Sequence, residues 1–190
     1  AMPAGVESDI LKGMYLLAEG KGGKKAPRVQ LMGSGTILRE VIAAAELLDQ
    51  DFGVASDVWS CPSFTELRRD GMEAARWNLL HPEAAPRVPH IAKCLDKRVG
   101  PAVVATDYMR IFAEQVRPYV DRRYTVLGTD GFGRSDTREQ LRRFFEVNRF
   151  YVVVAALKAL ADEGTIPAVT VTQAIRKYQI DPEKAAPWRV

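Results

Sequence analysis

Apolar and polar positions along the chain form short apolar runs, each followed by a longer stretch with helical spacing. Four such runs occur, at residues 28–32, 53–60, 101–106 and 124–127. After the first run, the apolar stripe consists of Ile37, Val41, Ala44, Ala45 and Leu48. Short apolar runs favour strands, whereas apolar residues three and four apart favour helices. Strands that alternate with helices predict a mainly parallel sheet with helices on both faces.

A fifth strand is predicted ahead of these four. Residues 13–18 are apolar, and a loop rich in glycine and lysine, residues 19–27, joins them to the first strand without a helix. Such a connection is typical of antiparallel neighbours, so we expect a hairpin at the edge of the sheet. The expected fold is therefore a three-layer α/β/α arrangement with a five-stranded mixed sheet and one antiparallel edge strand.

Capping residues and a proline predict where several helices begin and end. Ser63 and Glu66 have the spacing of a capping box. Asp136 and Glu139 suit the cap and third positions of the helix that follows the fourth strand. The helix after the third strand should end just before Pro118, because a proline cannot continue it.

The segment 150–154 is harder to assign. Its β-branched and aromatic residues favour a strand, whereas residues 155–163 favour a helix that Gly164 would end. We predict one helix over the whole segment, because burial can override local propensity. A last helix is predicted over residues 169–178. No repeat and no linker divides the chain, so we expect residues 1–190 to form one domain.

Composition and charge exclude several classes of function. The chain has 27 basic and 24 acidic residues, and the net charge of +3 is too small and too scattered to indicate nucleic-acid binding. No apolar run approaches the roughly 20 residues of a membrane helix, and no secretory leader opens the chain. Two cysteines, Cys61 and Cys94, are too few for a disulfide framework, so both should pack as small hydrophobes in a cytoplasmic protein. Because the chain starts Ala1-Met2-Pro3, we expect a fragment of a longer protein.

The loop Gly33-Ser34-Gly35 joins a strand to a helix, which is where phosphates often bind. A dinucleotide fingerprint would need a third glycine, but residue 38 is Leu. Tight turns use glycine for backbone reasons alone. We therefore favour a plain turn here and keep phosphate binding as the alternative.

The run Gly128-Thr129-Asp130-Gly131 is a second candidate site. A Gly-Asp-Gly motif with a downstream asparagine marks the thiamine-diphosphate magnesium site of many enzymes. Here the sequence is Thr-Asp-Gly, and Asn148 follows too closely, with a capped helix between. Magnesium demands near-octahedral oxygen geometry, so we predict no metal site at this run.

Three further groups of residues have a structural interpretation that we favour. His90 and Cys94 lie four apart, which is half of a metal site, but no second pair of ligands accompanies them. For the two histidines, His81 and His90, a surface or partly buried side chain is the interpretation that we favour. The arginines at positions 134, 138, 142 and 143 span two helical turns. A solvated face is the expected role of these arginines, and an acidic partner is the alternative.

At residues 127–136, Leu-Gly-Thr-Asp-Gly-Phe-Gly-Arg-Ser-Asp, the chain closely resembles the end of homodimeric pyruvate dehydrogenases. Further segments that carry the resemblance are 29–35, 63–67, 76–78, 86–89, 106–109, 145–147 and 151–157. The likeness runs from about Gly5 to the end. It implies the third domain of the transketolase-like architecture, with a five-stranded mixed sheet. It also implies an enzyme that decarboxylates pyruvate on thiamine diphosphate with Mg²⁺ and then acetylates a lipoyl group on the dihydrolipoyl acetyltransferase.

In this family the catalytic glutamate, the cofactor-anchoring motif and the substrate histidines lie in the two preceding domains. None has a matching position here, so we expect no catalytic, cofactor-binding or metal-binding residue in the chain. The resemblance instead implies an architectural role, with contacts to the remaining domains, to the second subunit of the homodimer or to the acetyltransferase.

The residues expected to make such a contact are Phe132 and Arg134. The glycines beside Phe132 let the loop turn sharply, and an aromatic residue with an arginine is a good interface anchor. The alternative is that Phe132 packs on the domain's own core. Two other functions stay open, a freestanding small-ligand module that uses the Gly33–Gly35 loop and a pure interaction domain.

Overall fold

A computed structural model of the chain describes residues 3–23 and 26–190 and shows a five-stranded sheet. The strands are β1 (Tyr15–Ala18), β2 (Arg28–Gly33), β3 (Ala55–Ser60), β4 (Ala102–Ala105) and β5 (Tyr124–Leu127). Their order in the sheet is β1-β3-β2-β4-β5. β1 is antiparallel to β3, and the other neighbouring pairs are parallel. The predicted mixed sheet with an antiparallel edge strand is therefore confirmed.

The predicted hairpin between β1 and the first parallel strand is wrong, because β1 pairs with β3. Tyr15 lies opposite Ser60. Both sides of β2 are occupied by parallel neighbours, β3 and β4, so no edge of β2 is free for β1. The connection from β1 passes β3, where Asp57 accepts a hydrogen bond from the backbone N–H of Gly20 at 3.0 Å. A loop without a helix predicts an antiparallel orientation but does not determine the neighbour.

Helices cover both faces of the sheet, which gives the predicted three layers. They are α1 (Glu7–Leu11), α2 (Leu38–Phe52), α3 (Phe64–Leu80), α4 (His90–Leu95), α5 (Ile111–Glu114), α6 (Arg138–Phe144), α7 (Arg149–Asp162) and α8 (Ala168–Lys177). Short 3₁₀ turns are Gly35–Ile37, Arg117–Tyr119 and Pro187–Arg189. One apolar core lies between the sheet and α2, α7 and α8, and the other lies between the sheet and α3, α4 and α5.

The segment with mixed propensity belongs to α7, as predicted. Val152, Val153, Leu157 and Leu160 are buried in the core beneath that helix. Asn148 caps the helix, because its side-chain oxygen accepts from the backbone N–H groups of the first turn. Burial of one continuous apolar face therefore outweighs the strand propensity of the β-branched residues. Within the described ranges, no helix is long and apolar enough to cross a membrane.

Two helix ends differ from the prediction. α5 is a single turn that ends at Glu114, and Pro118 lies in a separate 3₁₀ turn. Arg117 donates to the backbone oxygen of Tyr124 at 2.8 Å, which holds the chain close to β5 instead of extending the helix. The predicted helix to residue 117 is therefore wrong.

The cap of α6 is Thr137 and not Asp136. The Thr137 hydroxyl accepts from the backbone N–H of Gln140 at 3.3 Å, whereas the Asp136 carboxylate accepts from the N–H of Thr137 itself. The predicted cap is therefore displaced by one residue. At α3, Ser63 accepts from the N–H of Glu66 at 3.1 Å as predicted, and the carboxylate of Glu66 pairs with a neighbouring arginine rather than closing the capping box.

Candidate docking surface at the carboxyl edge

Three loops meet at the carboxyl edge of the sheet, because β2, β4 and β5 are parallel. The Ser34 hydroxyl donates to the Thr106 hydroxyl oxygen at 2.9 Å, which joins the loops after β2 and β4. The Thr129 hydroxyl donates to the backbone oxygen of Asp107 at 2.9 Å, which joins the loops after β4 and β5. The strand order reverses at β2, because β3 is added on one side of it and β4 on the other. Open α/β sheets bind their ligands at the carboxyl edge beside such a reversal.

A carboxylate of the chain itself, that of Asp107, lies beside the Gly33–Gly35 loop. Asp107 accepts a hydrogen bond from the Thr36 hydroxyl at 3.3 Å. A Cβ atom on Gly35 would lie 3.2 Å from the Asp107 carboxylate, and Gly35 has a φ of +53°. A phosphate bound at this helix end would meet that negative charge. The geometry therefore favours the plain turn over the phosphate site.

The two residues with a likeness to a magnesium motif serve the fold. Asp130 accepts from the backbone N–H of Arg110 at 3.1 Å. The side-chain oxygen of Asn148 accepts from the N–H groups of Phe150 and Tyr151 at 3.1 and 3.2 Å. Among the residues that the structure describes, no three His, Cys, Asp or Glu side chains are grouped to hold a metal. Asp130 and Asn148 do not fit the magnesium and thiamine diphosphate that the resemblance implies for the whole enzyme.

The histidine and cysteine candidates also have structural surroundings. The Nε2 atom of His90 lies 2.9 Å from the backbone oxygen of Met14 and 3.5 Å from the Cys94 sulfur. Burial raises the pKa of the Cys94 thiol to about 11, and burial also raises the pKa of Cys61. Both thiols are protonated at neutral pH and are therefore poor nucleophiles and poor metal ligands. His81 is exposed and stacks on the ring of Trp77 at 4.5 Å.

The predicted contact residues, Phe132 and Arg134, lie on the loop between β5 and α6. Phe132 is 80% exposed, so its ring does not pack on the core of this domain. The Arg134 guanidinium lies 4.2 Å from the centre of the Phe144 ring. The contact role of Phe132 and Arg134 stays a prediction.

The end of the chain packs against the same loop. A Cβ atom on Gly131 would lie 2.7 Å from the backbone oxygen of Pro187, so only glycine fits here. The Arg110 guanidinium lies 4.6 Å from the centre of the Trp188 ring. Sequence patterns did not predict this support, because a contact between such distant positions has no periodicity.

Several large apolar side chains are exposed around these loops. They are Tyr108, Met109, Ile111, Phe112, Phe132 and Trp188. The first four follow β4 directly, and the other two lie on the loop after β5 and on the segment that packs against it. Clustered exposed apolar side chains mark interaction surfaces. We call these six residues the carboxyl-edge surface.

A buried carboxylate fixes the helix that follows the loop. Glu40 on α2 is 5% exposed. It accepts from the backbone N–H and the Nε of Arg149, both at 3.0 Å, and from Arg142 at 2.9 Å. Burial raises the pKa of Glu40, but the hydrogen bonds and charges of Arg149 and Arg142 outweigh it, so the net pKa is lowered. Arg142 is therefore an internal partner and not part of a solvated face, whereas Arg138 and Arg143 are exposed.

Comparison with known proteins agrees with this architecture. The family model described as the transketolase-like TK C-terminal domain matches residues 13–148. The chain therefore belongs to the family of transketolase-like C-terminal domains. A transketolase from Campylobacter jejuni shares the fold, with a TM-score of 0.54 and 20% identity, covering 83% of this chain and 20% of that chain.

Two relatives have much higher sequence identity. The chain is 63% identical over 189 residues to the pyruvate dehydrogenase E1 component of Cupriavidus necator, covering 100% of this chain and 21% of that protein. It is 58% identical over 188 residues to the pyruvate dehydrogenase E1 component of Pseudomonas aeruginosa, covering 98% of this chain and 21% of that protein. The chain thus spans about a fifth of the length of these relatives. The resemblance inferred from the sequence is confirmed.

Proposed function

We propose that residues 1–190 form the C-terminal domain of a cytoplasmic pyruvate dehydrogenase E1 component. The full-length enzyme would decarboxylate pyruvate with thiamine diphosphate and Mg²⁺, and then reductively acetylate the lipoyl group of the dihydrolipoyl acetyltransferase. The observation that carries the proposal is the 63% identity, which extends over the whole chain.

Within that enzyme, the domain contributes contacts and not chemistry. The polar groups at the carboxyl edge, where an α/β sheet would bind a substrate, are engaged with one another. Asp107 accepts from the Thr36 hydroxyl, Asp130 accepts from the backbone N–H of Arg110, and Ser34 donates to Thr106. This arrangement supports an architectural role and argues against the alternative of a freestanding phosphate-binding module.

The carboxyl-edge surface is the proposed contact with the remaining domains, in the same subunit or in the second one. Phe132 exposes a large apolar ring, and the backbone of Pro187 packs closely against the neighbouring Gly131. A loop that is already fixed loses less conformational entropy on binding. The acetyltransferase component is a further proposed partner of the full-length enzyme.

A pyruvate assay tests the proposed function. The full-length protein, supplied with thiamine diphosphate and Mg²⁺, should reduce an artificial electron acceptor when pyruvate is added. The 190-residue chain, in the same assay and at the same molar concentration, should show no pyruvate-dependent reduction. An inactive full-length protein, or turnover by the chain alone, would contradict the proposal.

A further inference from the structure

A groove of about 370 Å³ lies between helix α6 and the loop that carries Phe132 and Arg134. Its apolar lining includes Ile37, Leu141 and Phe145, and its rim carries Arg134 and Arg138. A concave apolar site with a few converging polar groups is the usual form of a binding site. A contact made by the exposed Phe132 ring alone would not account for this groove.

Two of the arginines that line the groove, Arg134 and Arg138, are available to bind a ligand. Asp107 also lines the groove, where its carboxylate accepts from the Thr36 hydroxyl at 3.3 Å and keeps its negative charge. Arg142 is paired with Glu40. Arg134 and Arg138 form no ion pair within residues 3–23 and 26–190. Among the residues that line the groove, Arg134 and Arg138 are therefore two positive charges without an ion-pair partner, beside an apolar floor and the single carboxylate of Asp107.

We propose that this groove receives an acidic side chain, flanked by apolar residues, from the polypeptide that precedes this domain in the full-length protein. The inference rests on the proposed function and names the chemistry of the docked segment. A carboxylate matches the guanidinium fork geometrically and electrostatically, and Arg134 and Arg138 are the groups that would bind it. The apolar floor and the ring of Phe132 would exclude water around the pair, which strengthens it.

A protein segment fits this surface better than a free small anion. The groove is continuous with the exposed loop that carries Phe132, since Gly131 and Gly133 line it. A small anion would leave the Phe132 ring in water, whereas a docked segment would cover the ring and the groove together. The relatives are about five times as long as the chain, so a full-length protein of that length has ample polypeptide to supply such a segment.

Hydrogen exchange in the full-length protein tests the inference. Residues 131–141 are followed in the wild type, in the double variant Arg134→Glu/Arg138→Glu and in Phe132→Ala. The matched control is Lys97→Glu/Arg176→Glu, which makes the same change in charge at two exposed positions outside the groove. Thermal unfolding of each variant as the 190-residue chain checks that the domain itself is intact. Tripolyphosphate, added to the wild type, probes competition by a small anion.

The groove double variant should exchange at least about tenfold faster than the wild type, which corresponds to about 1.4 kcal/mol of lost docking free energy. The control variant should exchange at the wild-type rate. If Phe132→Ala speeds exchange and the arginine variant does not, docking stands and the acidic occupant is wrong. If neither changes exchange, the docking role of this edge fails as well. Faster unfolding of the arginine variant as the isolated chain, or protection that appears only with tripolyphosphate, would also contradict the inference.

Discussion

Glu40 shows how a single charge can organise a part of the fold that a sequence pattern does not describe. Glu40 lies outside the apolar stripe of α2, where acidic side chains usually face solvent. Instead it is buried, because it forms ion pairs with Arg142 on α6 and Arg149 at the start of α7, at the corner between these two helices. Spacing along one helix cannot reveal partners more than a hundred positions away.

Glu40→Gln should lower the free energy of unfolding by roughly 1–3 kcal/mol at pH 7, because a buried charged hydrogen-bond acceptor is lost. The pKa of Glu40 is lowered in the folded state. Its contribution is therefore complete above the ordinary glutamate pKa of about 4.3 and is lost as the pH falls through the lowered folded value. Urea unfolding at pH 7 and at pH 3 measures both effects.

Glu46→Gln is the matched control for this experiment, since Glu46 is exposed on the same helix. The control should change stability by less than about 0.5 kcal/mol. A Glu40 variant whose deficit does not shrink on going from pH 7 to pH 3 would show that the carboxylate charge is not what stabilises the corner.

The strand and helix elements were predicted well where a periodicity defined them, and poorly where distant contacts decided. The four parallel strands and α7 were predicted because buried apolar faces repeat at regular spacing. The pairing of β1 was missed, because it depends on which edge the parallel strands leave free. α5 was predicted too long, because Pro118 gives only the latest possible end of the helix. The cap of α6 was misplaced by one residue, because Asp136 and Thr137 both suit the position.

Thr137→Ala should destabilise the 190-residue chain by about 1 kcal/mol, because the N–H of Gln140 loses its acceptor. Asp136→Ala should cost less, roughly 0.3–1 kcal/mol, because the main contribution of the carboxylate is a favourable interaction with the positive end of the helix. Urea midpoints of the two variants, measured side by side, give the comparison. A larger loss for Asp136→Ala would restore Asp136 as the cap.

The whole molecule combines a well-packed sheet with an edge that is apolar and exposed. The resemblance in the sequence predicted the family and the fold, and both are confirmed. It also suggested Phe132 and Arg134 as contacts, and residues 187–188, which support their loop, were found only in the structure. The groove beside that loop was likewise invisible in the sequence, because its lining comes from four separate segments.

Phe132→Ala should leave the stability of the 190-residue chain within about 0.5 kcal/mol of the wild type, as a surface change does. In the full-length protein the same change should weaken the dimer or loosen this domain. Phe64→Ala is the contrasting variant, because Phe64 is buried, and it should cost about 3–5 kcal/mol. A loss of about 3 kcal/mol or more for Phe132→Ala in the chain would identify Phe132 as a core residue and end the docking proposal.

We propose that this domain belongs to a thiamine-diphosphate enzyme and does not itself hold the cofactor. Titration calorimetry with thiamine diphosphate and Mg²⁺, on the full-length protein and on the 190-residue chain under one set of conditions, tests this proposal. We expect saturable binding by the full-length protein and no heat of binding with the chain. A micromolar dissociation constant for the chain alone would contradict the account, because Asp130 and Asn148 would then have to leave their structural partners to form a site.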